Sequence, residues 1–343
     1  MTLKTVDFNQ LFTFSRPSPK WVWNAQGRLI EVPADEPAYQ HDPVTGTSLG
    51  FGIKDEAANY YTKTNDMSAK DHAGYVTTVV NSIFESGVVA NLFTRDTVTG
   101  APLGQGMPVV SDGTVMTVWM IVEQGTADIT QIGLRDQTAA VWAARVIYNF
   151  VTDSLEGQTP NSSGTIAPVY ARTVISEAGP NGGRVVLVSC TADVAEGKAV
   201  FLNIYPEAAA DNVGAGTIVH FAQLESGARP TSPIITDGSA VIRAADVPVI
   251  ENLDTATWFG GEQGAFLIEF SGAHRSSNNT FARLLSYGNT VRWFYVGVDG
   301  TLRAWDGGTV LSSAINVVQG GHHRAIITWN TDAFKLVVGG NVS

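Results

Sequence analysis

The chain has 343 residues, enough for two domains of ordinary size. Hydrophobic residues make up 44% and charged residues only 15%, which excludes a coiled coil or a long disordered tail. With 32 Asp and Glu against 21 Lys and Arg, the net charge of −11 disfavours contact with nucleic-acid phosphates or anionic membrane faces.

The first 60 residues read as an extended leader. Pro17, Pro19, Pro33, Pro37 and Pro43 lie here, and each fixes φ and removes a backbone donor, so a self-sufficient core is not expected. Apolar side chains nevertheless crowd the same stretch, notably Phe12, Phe14, Trp21 and Trp23. They need a second surface, either the following domain or another protein. Met1 to Arg16 has no apolar h-region, so no secretory signal is expected.

Beyond the leader the reading is all-β. Short runs rich in Val, Ile, Thr, Trp and Tyr alternate with turn residues, and the 35 glycines follow no linker or collagen period. Strands are predicted at Thr114–Val122, Val141–Phe150, Arg184–Cys190, Ala199–Tyr205, Thr217–Leu224, Ala265–Phe270, Val291–Val298 and Arg324–Trp329. The longest apolar stretch, Val115–Val122, is far below the ~20 residues that span a bilayer, so no membrane insertion is expected. Cys190 stands alone, which excludes an intrachain disulfide and any Cys-built zinc site, and its place at a strand end predicts a buried small hydrophobe.

Gly46-Thr47-Ser48-Leu49-Gly50 matches the G-x-S-x-G pattern of serine hydrolases. That chemistry needs a strand, a sharp turn and a helix, whereas Pro43 before it and Phe51-Gly52-Ile53 after it predict a turn into an extended run. No histidine pair has H-E-x-x-H spacing, and His220 is expected on the strand face of Ile218, Ala222 and Leu224 as a hydrogen-bonded core or interface residue. Glu123, Glu225 and Glu269 share no spacing that implies the paired carboxylates of a glycosidase. No catalytic residue is therefore assigned, and the chain is not read as an enzyme.

Two segments carry a family resemblance. The first runs through Phe14-Ser15-Arg16, then Trp21-Val22-Trp23-Asn24-Ala25-Gln26-Gly27-Arg28-Leu29-Ile30, then His41-Asp42-Pro43-Val44-Thr45-Gly46-Thr47-Ser48-Leu49-Gly50, and ends at Ile53-Lys54-Asp55-Glu56-Ala57-Ala58-Asn59. The second is His220-Phe221-Ala222-Gln223-Leu224-Glu225-Ser226-Gly227-Ala228-Arg229-Pro230-Thr231-Ser232-Pro233-Ile234, continuing into Ile242-Arg243-Ala244-Ala245-Asp246-Val247. Both resemble segments of tailed-bacteriophage virion proteins of the tail fibre, spike or head-decoration type. The chain departs from that pattern at Asn24, where Asp is common, and at Lys54-Asp55-Glu56.

The resemblance implies a leader over residues 1–60, a jelly-roll sandwich similar to carbohydrate-binding modules over 61–240, and a concanavalin- or laminin-G-like sandwich over 241–343. The last is short for its type and ends directly after the strand-like Phe334–Val338, which reads as an incomplete sandwich or an edge that a neighbour covers. The resemblance further implies a place on the phage particle, other virion proteins as partners through Phe12, Phe14, Trp21 and Trp23, a homotrimer, and attachment to host cell-surface polysaccharide. A glycan would stack on aromatic rings, with Trp119, Trp142, Tyr148 and Trp305 as the candidates. No cofactor is expected, although such jelly rolls often hold a structural calcium, for which Asp96, Asp112, Asp128, Asp136 and Asp237 offer oxygens at turns.

Overall fold

The computed structural model describes residues 13–54, 56–69, 74–96, 109–111, 113–158, 167–205, 213–249, 264–271, 282–287, 292–296, 301–305, 310–316, 322–329 and 334–339. The fold is all-β, as expected. Two compact units emerge, Phe14–Pro248 and Val249–Ser343 with Met1–Thr13. The leader from Phe14 onward and the first sandwich share one unit.

In the larger unit, short strands come first: β1 (Thr13–Ser15), β2 (Lys20–Trp23), β3 (Leu29–Val32), β4 (Tyr39–His41), β5 (Ser48–Phe51) and β6 (Ala57–Asn59). The sandwich follows with β7 (Tyr75–Val80), β8 (Ala90–Arg95), β9 (Val109–Val110), β10 (Val115–Gln124), β11 (Ile129–Asp136) and β12 (Val141–Asn149). It continues with β13 (Ser154–Gln158), β14 (Val169–Ser176), β15 (Val185–Asp193), β16 (Ala199–Tyr205) and β17 (Gly216–Ser226), and the unit closes with β18 (Val241–Arg243) and β19 (Val247–Val249). A six-stranded sheet in the order β14-β15-β10-β17-β8-β7 faces a five-stranded sheet in the order β13-β12-β11-β16-β9. Their pairings are antiparallel. Between them lies a core that includes Val118, Met120, Val122, Ile132, Leu134, Val146, Tyr148, Val188, Cys190, Leu202 and Leu224. Cys190 is fully buried as expected, and burial pushes its thiol up to about 12.

The other face of the six-stranded sheet is covered as well, which explains why β10 is buried along nearly its whole length. The β2–β3 hairpin and the segment around Ile83–Val88 lie on it and form a second core with Trp119, Ile121, Val185 and Phe221. An aromatic chain crosses this interface: Trp21 contacts Phe84 at 5.0 Å between centroids, Phe84 contacts Phe221 at 5.7 Å, and Phe221 contacts Trp119 at 5.1 Å. The leader is therefore a third layer. Its prolines do break it into strands of three or four residues, but Trp21, Leu29 and part of Trp23 are covered by the following domain.

Two turns of the leader interlock. Gly27 and Gly46 both have positive φ, and a Cβ on either would come within 2.7 Å and 2.6 Å of the carbonyl oxygens of Pro43 and Ala25 respectively. Asp42 shapes the second turn, accepting hydrogen bonds from the backbone N–H groups of Val44 and Thr45. Ser48 of the G-x-S-x-G run thus lies in β5 of a hairpin, beside a turn.

Leader and closing segment meet at a buried ionic cluster. Asp246 receives Arg16 Nη1 at 3.0 Å and Lys20 Nζ at 2.6 Å, and all three side chains are sealed from solvent. The chain also crosses itself here, with β1 hydrogen-bonded to β19 and β6 to β18.

The smaller unit contains β20 (Gly264–Ser271), β21 (Ala282–Tyr287), β22 (Arg292–Val296), β23 (Thr301–Trp305), β24 (Val310–Asn316), β25 (His322–Trp329) and β26 (Phe334–Gly339). They form sheets β20-β25-β26 and β21-β22-β23-β24, with Val296, Leu302, Ala304 and Ala325 buried. Strand β26 stands at the end of its sheet among the described residues.

Truncating Trp21 to Ala removes the leader's largest anchor. A loss of about 3–5 kcal/mol is expected for deleting a buried aromatic side chain. Urea unfolding followed by tryptophan fluorescence measures it, and a change below about 1 kcal/mol would mean that the third layer does not stabilise the sandwich.

Candidate functional site

Of the four aromatic residues proposed for stacking, two lie buried. Trp119 lies beneath the leader, 1% exposed, and its indole N–H donates to Glu225. Tyr148 lies in the inter-sheet core, 0% exposed, with its hydroxyl donating to Asp153. Neither can present a ring face to a ligand. Trp142 and Trp305 are half-buried, in β12 and β23. Of the proposed docking residues, Trp21 is buried against Phe84, Trp23 is half-buried against the same core, and Phe14 is half-buried at the surface. Phe12 lies outside the described residues.

Trp142 sits on the outer face of the five-stranded sheet, which the leader does not cover. In register, Arg135, Gly133 and Gln131 of β11 run between Phe201, Asn203 and Tyr205 of β16 and Trp142, Arg145 and Ile147 of β12. A β-bulge next to Arg135 turns Trp142 outward. Its indole lies over Gly133, where a Cβ would fall 2.4 Å from the ring, so a side chain there would displace it. The Arg145 guanidinium stacks 5.3 Å from the Trp142 ring, and the Tyr205 ring stands 6.3 Å away.

Next to Gly133 on the neighbouring strand is Asn203, only 1% exposed, with neither its amide oxygen nor its nitrogen hydrogen-bonded. Leaving such a group unsatisfied costs about 1–3 kcal/mol. Burial raises the Tyr205 hydroxyl above its ordinary pKa, while the nearby Arg135 and Arg145 pull it down. The result is an aromatic platform with two cations and a phenol at its margin.

Other polar clusters are committed to the scaffold. His220 occupies a bulge of β17 and does not share the core face of Ala222 and Leu224, because the register slips between Val219 and Phe221. Its Nδ1 accepts from the Ile83 N–H at 3.2 Å, so its Nε2 carries the proton and donates to Glu123 at 3.1 Å. Burial lowers the His220 pKa, against the pull of Glu123, and keeps the ring neutral. Burial would raise Glu123, but hydrogen bonds from His220, Asn181 and Gly183 outweigh it. A cleft of about 430 Å³ opens nearby among Arg28, Asn81, Phe84, Glu85 and Pro180. On its charged walls Glu85 accepts from the Asn24 amide, and one Arg28 terminal nitrogen donates to the Phe84 carbonyl.

No group of three or more His, Cys, Asp or Glu among the described residues could hold a metal ion. Asp136 accepts from the Ala139 N–H in a turn, and Asp237 pairs with Lys63; Asp112 lies outside the described residues.

No protein-family model matches the chain, and no curated protein matches it.

Glu225 yields a pH-dependent prediction. Burial raises its carboxyl from the ordinary 4.5 to about 6, against hydrogen bonds from Thr231 and Trp119. The folded chain thus holds this proton more tightly than the unfolded chain. The stability it contributes is complete below pH 4.5 and is lost as pH rises through 6. Between pH 4 and 7.5, wild type should lose about 2 kcal/mol relative to Glu225→Gln. Parallel urea titrations at both pH values measure this, and identical pH dependence of the two proteins would refute it.

Proposed function

We propose that the chain is a non-enzymatic structural subunit of a tailed-bacteriophage particle, which displays β-sandwich domains and holds host-surface glycans on the open face of the five-stranded sheet. The virion assignment comes from the resemblance of two segments. It is supported by their meeting at the Arg16–Asp246–Lys20 cluster, which makes them parts of one module. A non-catalytic role suits the acids: Glu123 and Glu225 are each held by several hydrogen bonds within the scaffold.

The single observation that carries glycan attachment is Trp142, laid over Gly133 with Arg145 and Tyr205 beside it. Sugar rings offer apolar C–H faces to such a platform while hydroxyls reach the polar margin.

Contact with other virion proteins falls to the leader's outer side. Phe14 packs edge-on against Phe51 at 5.4 Å, Tyr39 reaches Phe51 at 6.2 Å, and Tyr39, Leu49 and Ile53 are all exposed. The homotrimer contact falls to the smaller unit. There Leu267, Ile326 and Val337 stand directly opposite one another across β20, β25 and β26, 60%, 40% and 58% exposed. A row of apolar side chains of this kind suits a covering partner.

On an array of bacterial surface polysaccharides, wild type should bind at least one glycan and Trp142→Ala should lose at least ten-fold in affinity with its fold unchanged. An array blank for wild type would sink the attachment role. For the assembly, light scattering at micromolar concentration should give a trimer mass that Ile326→Lys reduces to a monomer. A monomeric wild type would remove the oligomer from the proposal.

A further inference from the structure

We propose that the Trp142 face selects saccharides that carry a carboxylate, with Arg135 and Arg145 as the residues that read the charge. This rests on the glycan-binding reading of the same face and goes further by naming the ligand class.

The reasoning begins with charge. The chain carries 11 more acidic than basic residues, so its average field repels anions. On this face the balance is locally inverted. Arg135 lies beside Trp142 in the β11–β12 register, and Arg145 lies beside Gly133 two pairs further along, on the same face. Among the described residues neither guanidinium lies within ion-pair distance of a carboxylate, whereas Arg16, Arg172 and Arg184 all do. The nearest acid in the register is Glu156 of β13, opposite Ile147 at the margin of the patch, and Asp136 is buried in its turn. Both arginines are half-buried, so their charges are partly desolvated yet reachable.

Position matters as much as charge. Arg145 stacks on Trp142, which fixes the planar guanidinium at the edge of the surface where a ring would lie. A guanidinium in a fixed plane suits a carboxylate because its paired N–H groups match the two oxygens. A neutral ring would use the aromatic surface but give neither guanidinium a carboxylate. A ring bearing a carboxylate would use all of them. A free carboxylate without a ring would gain the cations only.

The test compares a uronic-acid tetrasaccharide with its carboxyl-reduced counterpart, by calorimetric titration of the full-length protein. Wild type should bind the acidic form at least ten-fold more tightly, and the margin should shrink as NaCl rises from 50 to 500 mM. The Arg135→Gln/Arg145→Gln double variant should bind both forms with the affinity wild type shows for the reduced one. Trp142→Ala should weaken both. Circular dichroism and unfolding midpoints of the variants show that they remain folded. Equal wild-type affinity for the two forms would overturn the charge selection and leave glycan binding intact. Binding of neither, together with a blank polysaccharide array, would overturn both.

Discussion

The larger unit depends on one carboxylate. Asp246 lies in the closing segment, and its two oxygens are shared between Arg16, 230 residues earlier, and Lys20, 226 residues earlier. Burying three charges is costly, and such clusters persist only when the remaining donors and acceptors are matched. Here they are. Arg16 also donates to the carbonyls of Ser18, Val32 and Pro33, and Lys20 donates to that of Gly52. Asp246 accepts from the Lys54 backbone N–H and returns its own N–H to the Lys54 carbonyl. Burial still draws the Lys20 ammonium down to about 8 against the pull of Asp246. Such a cluster adds little net stability over well-packed apolar residues, but removing one member strands the others. Its contribution is placement: it brings the start and end of the unit to one point.

Placement of the leader in turn decides which sheet faces are open. Once the β2–β3 hairpin and the 81–88 segment cover the six-stranded sheet, its central strands are buried on both sides. The departures from the phage-like pattern fit this arrangement. Asn24 accepts from the backbone N–H groups of Gln26 and Arg28 and donates its amide to Glu85, where an Asp would meet a second carboxylate. Lys54 joins the Asp246 cluster through its main chain, so this contact places no demand on the side chain at that position.

Much of this was legible in the sequence, and the limits have identifiable causes. The predicted strands at Thr114–Val122, Val141–Phe150, Ala199–Tyr205 and Thr217–Leu224 match β10, β12, β16 and β17 within a few residues, because each sends apolar residues into the sandwich core, and β10 and β17, covered on both faces, are apolar at successive positions. Strand β11, with Thr130, Gln131, Gly133 and Arg135 among its apolar residues, does not stand out, since its outer face is polar. The face of His220 was not legible because a bulge is set by pairing across strands and leaves no mark in the period. Composition could not separate Trp119 from Trp142, two tryptophans in apolar strands. What separates them is the layer above each one. The leader's fate was undecided for the same reason: a proline-broken apolar segment needs a surface, and only the fold says whose.

Gly133 is the signal that could have located the open face in advance. An isolated glycine inside a strand marks a close approach by something else, and here it is the Trp142 indole. The same glycine ties the scaffold to the proposed recognition surface. Lacking a side chain, it lets the indole lie close to the sheet, and it leaves Asn203 beside it with an amide unmatched by protein. A larger residue would lift the ring and displace the Arg145 guanidinium stacked on it. A surface that only had to stay soluble would have little use for two arginines that, among the described residues, lie within ion-pair distance of no carboxylate. Partly buried charges of this kind cost stability where they stand, and the proposed binding role is a setting that would offset that cost.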